Sequence, residues 1–98
     1  MTMAAYDGSI ALLPGGGKTV LWPGRQVTFV HRYSGSAYSM IEWAVAPGVP
    51  SPPLHIHRMT DESFYVLDGT FGFQVGERTV DGASGAFFFV PRGTKHTF

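Results

Sequence analysis

Residues 55–69 read HIHRMTDESFYVLDG. His55 and His57 stand two positions apart, and on a β-strand such side chains point to one face while Ile56 points to the other. Glu62 follows a polar tetrapeptide that is long enough to turn the chain, so its carboxylate can return to the same place from the next strand. The stretch therefore predicts two imidazoles and one carboxylate that converge on one site.

A second informative stretch, residues 85–98, reads GAFFFVPRGTKHTF. Its apolar run predicts a strand that ends at Val90, and the following Pro91-Arg92-Gly93 predicts a turn that sends the chain back. His96 comes directly after this turn. It could therefore supply a fourth ligand to the site predicted around the two earlier histidines.

Together the two stretches resemble the two motifs of the cupin superfamily. The family pattern G-x5-H-x-H-x3,4-E-x6-G is met from His55 to Gly69, and G-x5-P-x-G-x2-H is met from Gly85 to His96. A His-x-His pair alone is a weak signal, whereas this combination at the right spacing is specific. The resemblance implies a small single-domain metal-binding cupin, most similar to the quercetin-dioxygenase-like group.

The sequence departs from the cupin pattern in two places. Six residues separate Gly48 from His55 where the family usually has five, a difference that the proline-rich loop can absorb. The family's second motif also continues to an Asn and to further strands, whereas this sequence ends at Phe98. The resemblance covers roughly residues 40–98 and implies a cupin-type double-stranded β-helix, a jelly-roll barrel, without its C-terminal strand. Either the sequence is a truncated form of a longer protein, or residues 1–17 or a partner chain replace that strand.

The residue pattern itself predicts an all-β fold. Short β-branched and aromatic runs bounded by Gly, Pro, Ser and Asp recur along the chain, and no window keeps a helical period. The predicted strands are Thr19–Trp22, Gln26–Tyr33, Tyr38–Ala46, Leu54–His57, Ser63–Leu67, Thr70–Val75, Arg78–Val80 and Ala86–Val90. Ser34-Gly35-Ser36 is predicted as a hairpin turn, and residues 46–53, with four prolines, as a stiff loop. We expect an N-terminal arm or added edge strand over 1–17 and one barrel domain over 18–98.

The composition restricts the classes of binding partner and the types of metal ligand that the protein can use. Seven Lys and Arg balance seven Asp and Glu, so no basic excess favours nucleic acid or a membrane surface as a partner. The chain has no cysteine, and a metal site must therefore use nitrogen and oxygen ligands. Residues 1–17 contain no Lys or Arg, and their apolar run stops at Pro14, which fits neither a signal peptide nor a membrane span. The cytoplasm is the expected location.

The cupin resemblance implies a metal site and an activity. The implied ligands of one divalent ion per chain are His55, His57, Glu62 and His96. Such a set suits Fe, Mn, Ni, Co, Cu or Zn, and the ligand types alone do not determine which of these ions is bound. The implied function is a mononuclear-metal oxidoreductase, dioxygenase-like, acting on a small apolar substrate. The alternatives are a non-catalytic module that binds a small ligand and a sugar isomerase or epimerase. A missing closing strand would expose a sheet edge, so we expect a homodimer.

Other conspicuous residues have simpler interpretations. His31 is expected to share a strand face with Val27, Phe29 and Tyr33 and to be structural or at a substrate's edge. Glu42 is interpreted as an exposed strand residue, with a pocket acid or base as the alternative. The run Phe87–Phe89 predicts a strand buried on both faces. Residues 70–75 alternate between two sets of side chains. Either Phe71, Phe73 and Val75 or Thr70, Gly72 and Gln74 face the barrel interior.

Overall fold

The protein's structure is a computed structural model, and residues 2–4, 10–31 and 37–98 are described from it. In these ranges every regular element is a β-strand, which confirms the predicted all-β fold class. The strands are β1 (Thr2–Ala4), β2 (Ile10–Leu12), β3 (Lys18–Trp22), β4 (Arg25–His31), β5 (Met40–Val45), β6 (Glu62–Tyr65), β7 (Thr70–Val75), β8 (Arg78–Ala83), β9 (Phe87–Val90) and β10 (His96–Thr97). Within the described residues, no helix is long and apolar enough to cross a membrane. The chain forms two compact units, Met1–Val49 and Pro50–Phe98.

The first unit contains the antiparallel pair β1-β2 and the antiparallel sheet β3-β4-β5. Pro23 and Gly24 connect β3 to β4, and Gly24 has φ of 71°, as the third residue of a type II turn requires. Val27 and Thr28 are the buried residues of β4, and the Thr28 hydroxyl is hydrogen-bonded to that of Thr19 at 2.9 Å. The hydroxyl of the buried threonine is therefore satisfied within the sheet.

One prediction for the first unit needs correction, and another concerns residues that are not described. A register shift between Phe29 and His31 interrupts the alternation that was expected to place both side chains on one face. Such a bulge adds one residue to one strand and re-aims the side chains beyond it. The predicted hairpin turn at residues 34–36 lies outside the described residues.

The second unit contains the antiparallel sheet β10-β7-β8 and the antiparallel pair β6-β9. Gly76 and Glu77 join β7 to β8, and Gly76 has φ of 60°, the sign that the first central position of a type II′ turn needs. The buried side chains of this unit are Val66, Phe73, Val90 and His96. On β7 it is therefore the set containing Phe73 that faces the interior.

The strand formed by residues 87–90 is buried on one face only. Phe88 pairs with Phe64 across the β6-β9 ladder and is half-buried, whereas the alternate residues Phe87 and Phe89 are 60 % and 54 % exposed. The prediction of a strand buried on both faces is therefore wrong. Successive side chains of a strand point to opposite faces, so Phe88 and the buried Val90 lie on the covered face and Phe87 and Phe89 on the exposed one.

The predicted strand Leu54–His57 is also absent. Pro52 and Pro53 offer no backbone N–H to a ladder, and only His55 forms an isolated bridge, with His96. The loop predicted over residues 46–53 is confirmed, because no strand lies in that range.

Candidate metal centre

Backbone hydrogen bonds bring the two sequence motifs together. His55 N–H donates to the His96 carbonyl at 3.0 Å, and His96 N–H donates back to the His55 carbonyl at 2.9 Å. Gly93 N–H, in the turn before β10, donates to the His57 carbonyl at 2.7 Å. These three bonds hold the segments around the histidines side by side, although they are far apart in the sequence.

The four predicted ligands lie in one cluster. One nitrogen or oxygen atom from each of them falls within 4.8 Å of the others, and the four residues are His55, His57, Glu62 and His96. The imidazole centroids of His55 lie 4.9 Å from His57 and 4.5 Å from His96. His96 is buried, whereas the His57 side chain is 45 % exposed. The cluster therefore opens to solvent on the His57 side.

Local hydrogen bonds decide which ring nitrogen two of the histidines present to the cluster. His55 Nδ1 lies 2.7 Å from the Pro53 carbonyl oxygen, and His96 Nδ1 lies 2.9 Å from the Thr94 carbonyl oxygen. A carbonyl oxygen only accepts hydrogen bonds, so each Nδ1 carries a proton, and in a neutral ring Nε2 then holds the lone pair. An Nδ1–H bonded to a carbonyl is the usual support of a histidine that binds metal through Nε2.

The Glu62 carboxylate lies between the imidazoles of His57 and His96. Its Oε1 is 2.7 Å from His57 Nε2 and 3.1 Å from His96 Nε2. A neutral His96 with its proton on Nδ1 would face the carboxylate with a lone pair, and two acceptors at this distance repel. A cation between them, or a second proton on the ring, removes the repulsion. The donor set, three imidazole nitrogens and a carboxylate, fits a divalent first-row metal ion.

An aromatic cluster lies beside the four residues. The Phe64 ring is 6.2 Å from the His96 ring, and it lies 5.4 Å from Phe73 and 5.5 Å from Phe98. Phe73 in turn stacks on Phe88 at 4.0 Å. The cluster gives the site an apolar flank. The alternation of β6 could have placed Phe64 on the Glu62 face, although the sequence reasoning did not use it.

An ion pair next to the site was also missed. The Asp61 carboxylate accepts hydrogen bonds from Arg92 N–H at 2.8 Å, from Arg92 Nε at 3.1 Å and from Arg92 Nη2 at 3.2 Å. The side-chain hydrogen bond from Arg92 is the main reason that the pKa of Asp61 is lowered, and the same bond raises the pKa of Arg92. A single charge pair between distant segments leaves no pattern in the sequence.

The two other residues considered as site candidates lie in the first unit. His31 contacts the Tyr38 ring at a centroid distance of 4.9 Å and does not belong to the four-residue cluster. Glu42 stands opposite Thr28 in the β4-β5 ladder and borders an open cavity of about 290 Å³. Its role as a pocket acid or base stays a prediction.

The family comparison agrees with the geometry. The family profile described as "Cupin domain" matches residues 41–98, more than half of the chain, and contains all four clustered residues. Comparison with curated proteins and with solved structures returned no match. The chain therefore belongs to the cupin domain family, and its fold class is the all-β cupin type.

Proposed function

We propose that this chain is a metal-binding cupin and a mononuclear-metal oxidoreductase of the dioxygenase type. The proposed ligands of one divalent ion are His55, His57, Glu62 and His96. The observation that carries the proposal is the cluster itself, in which four ligand atoms lie within 4.8 Å. The bonds from Nδ1 of His55 and His96 to carbonyl oxygens support it, because they leave each Nε2 lone pair for a metal.

The residues of the site have separate tasks in this proposal. His96 is buried and fixed by its backbone pairing with His55, so it supplies a rigid inner ligand. His57 borders solvent, and the open side beside it is where a substrate would enter. When bound, an ion such as Fe, Mn, Ni, Co, Cu or Zn supplies a Lewis acid with open coordination positions.

The flank of the site favours an apolar substrate. Phe64 borders His96 and continues into the rings of Phe73 and Phe98. Such a surface packs against an aromatic or aliphatic body and excludes water from it. A sugar isomerase or epimerase would need several polar groups there to bind hydroxyls, so the aromatic flank supports the oxidoreductase proposal over that alternative.

Oxygen uptake tests the oxidoreductase proposal. Protein stripped of metal is loaded in turn with Fe, Mn, Ni, Co, Cu and Zn and is offered flavonols, 1,3-diketones and catechols. A dioxygenase adds both atoms of O₂ to its substrate, so oxygen consumption should equal substrate loss mole for mole. His57→Ala should abolish the reaction. Substrate binding by a loaded form without oxygen uptake in any form would overturn the oxidoreductase proposal in favour of the non-catalytic binding module.

We also propose that the protein is a homodimer and is located in the cytoplasm. Tyr65, Phe87 and Phe89 lie on one face of the β6-β9 pair and are 64 %, 60 % and 54 % exposed. At about 200 Å² per aromatic side chain they expose roughly 350 Å², enough for the apolar centre of an interface with a second copy. Light scattering should show a dimer that Phe89→Asp dissociates.

The proposed cytoplasmic location is tested by localising the tagged protein in its native cell.

A further inference from the structure

The β6-β9 ladder ends at the ligand Glu62. Its last pair is Glu62 with Val90. Pro91 directly follows Val90 at the end of β9, and it has no N–H to continue the ladder. Strand ends without further pairing fray. A ligand at such an end needs some other contact to keep its carboxylate in place.

That contact lies just beyond this last pair, one residue from Glu62 on one segment and two residues from Val90 on the other. Asp61, directly before Glu62, accepts the backbone N–H of Arg92 at 2.8 Å and both arms of its guanidinium at 3.1 and 3.2 Å. Arg92 directly precedes Gly93, whose N–H holds the His57 carbonyl. The Asp61–Arg92 pair thus ties the start of β6 to the turn that leads to His96.

We propose that Asp61 and Arg92 are positioning residues that hold Glu62 against the two histidines it contacts and thereby set the metal affinity of the site. The inference rests on the proposed function, because it assumes that Glu62 is a ligand. The pair does not touch the metal position itself.

The size of the expected effects separates positioning from simple stabilisation. The Asp61 and Arg92 side chains are 41 % and 59 % exposed, and an exposed ion pair adds little to the stability of a protein. The two-armed guanidinium contact, in contrast, fixes direction as well as distance. Residues that support metal ligands typically change metal affinity by 10- to 100-fold when mutated. We therefore expect metal affinity to change far more than the melting temperature of the metal-free protein.

Cobalt(II) titration of the full chain, with a competing chelator and visible absorption as readouts, tests the inference. Asp61→Asn and Arg92→Gln should each weaken Co²⁺ binding about tenfold or more and change the absorption bands of bound cobalt. Arg92→Lys keeps the charge but loses the two-armed contact, and it should fall between wild type and Arg92→Gln. Asp68→Asn, which removes an exposed carboxylate from the turn before β7, should bind like wild type.

The possible outcomes distinguish this inference from the proposed function. Failure of the wild-type protein to bind Co²⁺ would overturn the proposed metal site. Wild-type binding together with unchanged affinity and spectrum in Asp61→Asn and Arg92→Gln would overturn the positioning role and leave the metal site standing. Variants that melt earlier without metal but show the wild-type cobalt spectrum would assign the pair to stability alone, which also contradicts the inference.

Discussion

Replacing Gly82 with alanine should destabilise the second unit through the aromatic cluster. Gly82 is buried on β8, and a Cβ there would lie 2.6 Å from Phe88 Cε2 and 2.9 Å from its Cζ. Carbon atoms pack at about 3.5–4.0 Å, so the ring would have to move by about 1 Å. It cannot move freely, because it stacks at 4.0 Å on the buried Phe73. Overpacking of this kind costs about 1–3 kcal/mol, and each kcal/mol lowers Tm by about 4–8 °C in a chain of this size.

Thermal and urea unfolding followed by circular dichroism measure this effect, and Gly72→Ala is the matched control. Gly72 lies on the neighbouring strand β7, where, among the described residues, a Cβ would meet only Asp81 Oδ1, at an ordinary 3.5 Å. That variant should equal wild type or gain up to about 1 kcal/mol, because alanine restricts the unfolded chain. Shortening the ring in the double variant Gly82→Ala, Phe88→Leu should recover part of the loss. Equal stability of Gly82→Ala and Gly72→Ala would refute the packing argument.

The remaining predictions concern the metal centre and its surroundings. His57→Ala should lower the metal content measured by elemental analysis well over tenfold, whereas His31→Ala should keep it; full occupancy of the first variant would contradict the ligand assignment. Bound metal should be released as the pH falls below about 6, because protons compete for the imidazoles, and dialysis across a pH series measures this. Because hydrogen bonding to Arg92 lowers the pKa of Asp61, its carboxylate should titrate below the usual range in a ¹³C NMR titration, and Arg92→Gln should move it back up. The stability that this pair contributes is therefore present at neutral pH and is lost as the pH falls through the lowered pKa. Metal loading should slow amide hydrogen exchange at the backbone bridge between the two motifs, and equal exchange with and without metal would argue against coupling of the site to the fold.

The sequence predicted the convergence of the histidines through an argument that was only partly right. Alternation on a strand was expected to bring His55 and His57 to one face, but only His55 takes part in a bridge. The rings still lie 4.9 Å apart, because His55 is bonded to His96 and the His57 carbonyl accepts the Gly93 N–H. The spacing of the two family motifs predicted which residues come together, because such a motif reflects the fold of the whole domain. The backbone conformation around His55 and His57 depends on hydrogen bonds to His96 and Gly93, and the alternation of apolar and polar residues does not reveal these partners.

The failures have a common physical origin. An apolar run such as residues 87–89 shows that a strand is hydrophobic, but whether a second layer covers each face depends on distant segments. The two-residue strand β10 is too short to have a period, and the Asp61–Arg92 pair joins residues with no periodic relation. In each case the missing information is the identity of a nonlocal neighbour.

The bridge between the motifs would couple the proposed metal centre to the fold. His55 and His96 exchange two backbone hydrogen bonds, each worth only about 0.5–1.5 kcal/mol net, yet they close a long loop whose entropy opposes the contact. His96 Nε2 lies 3.1 Å from Glu62 Oε1, and a neutral ring with its proton on Nδ1 would present there a lone pair that repels the carboxylate. An ion bound there would remove that repulsion and add a further link across the loop. Part of its binding free energy would then appear as stability of the second unit, and loss of metal should loosen the bridge before it disturbs the β7-β8 hairpin.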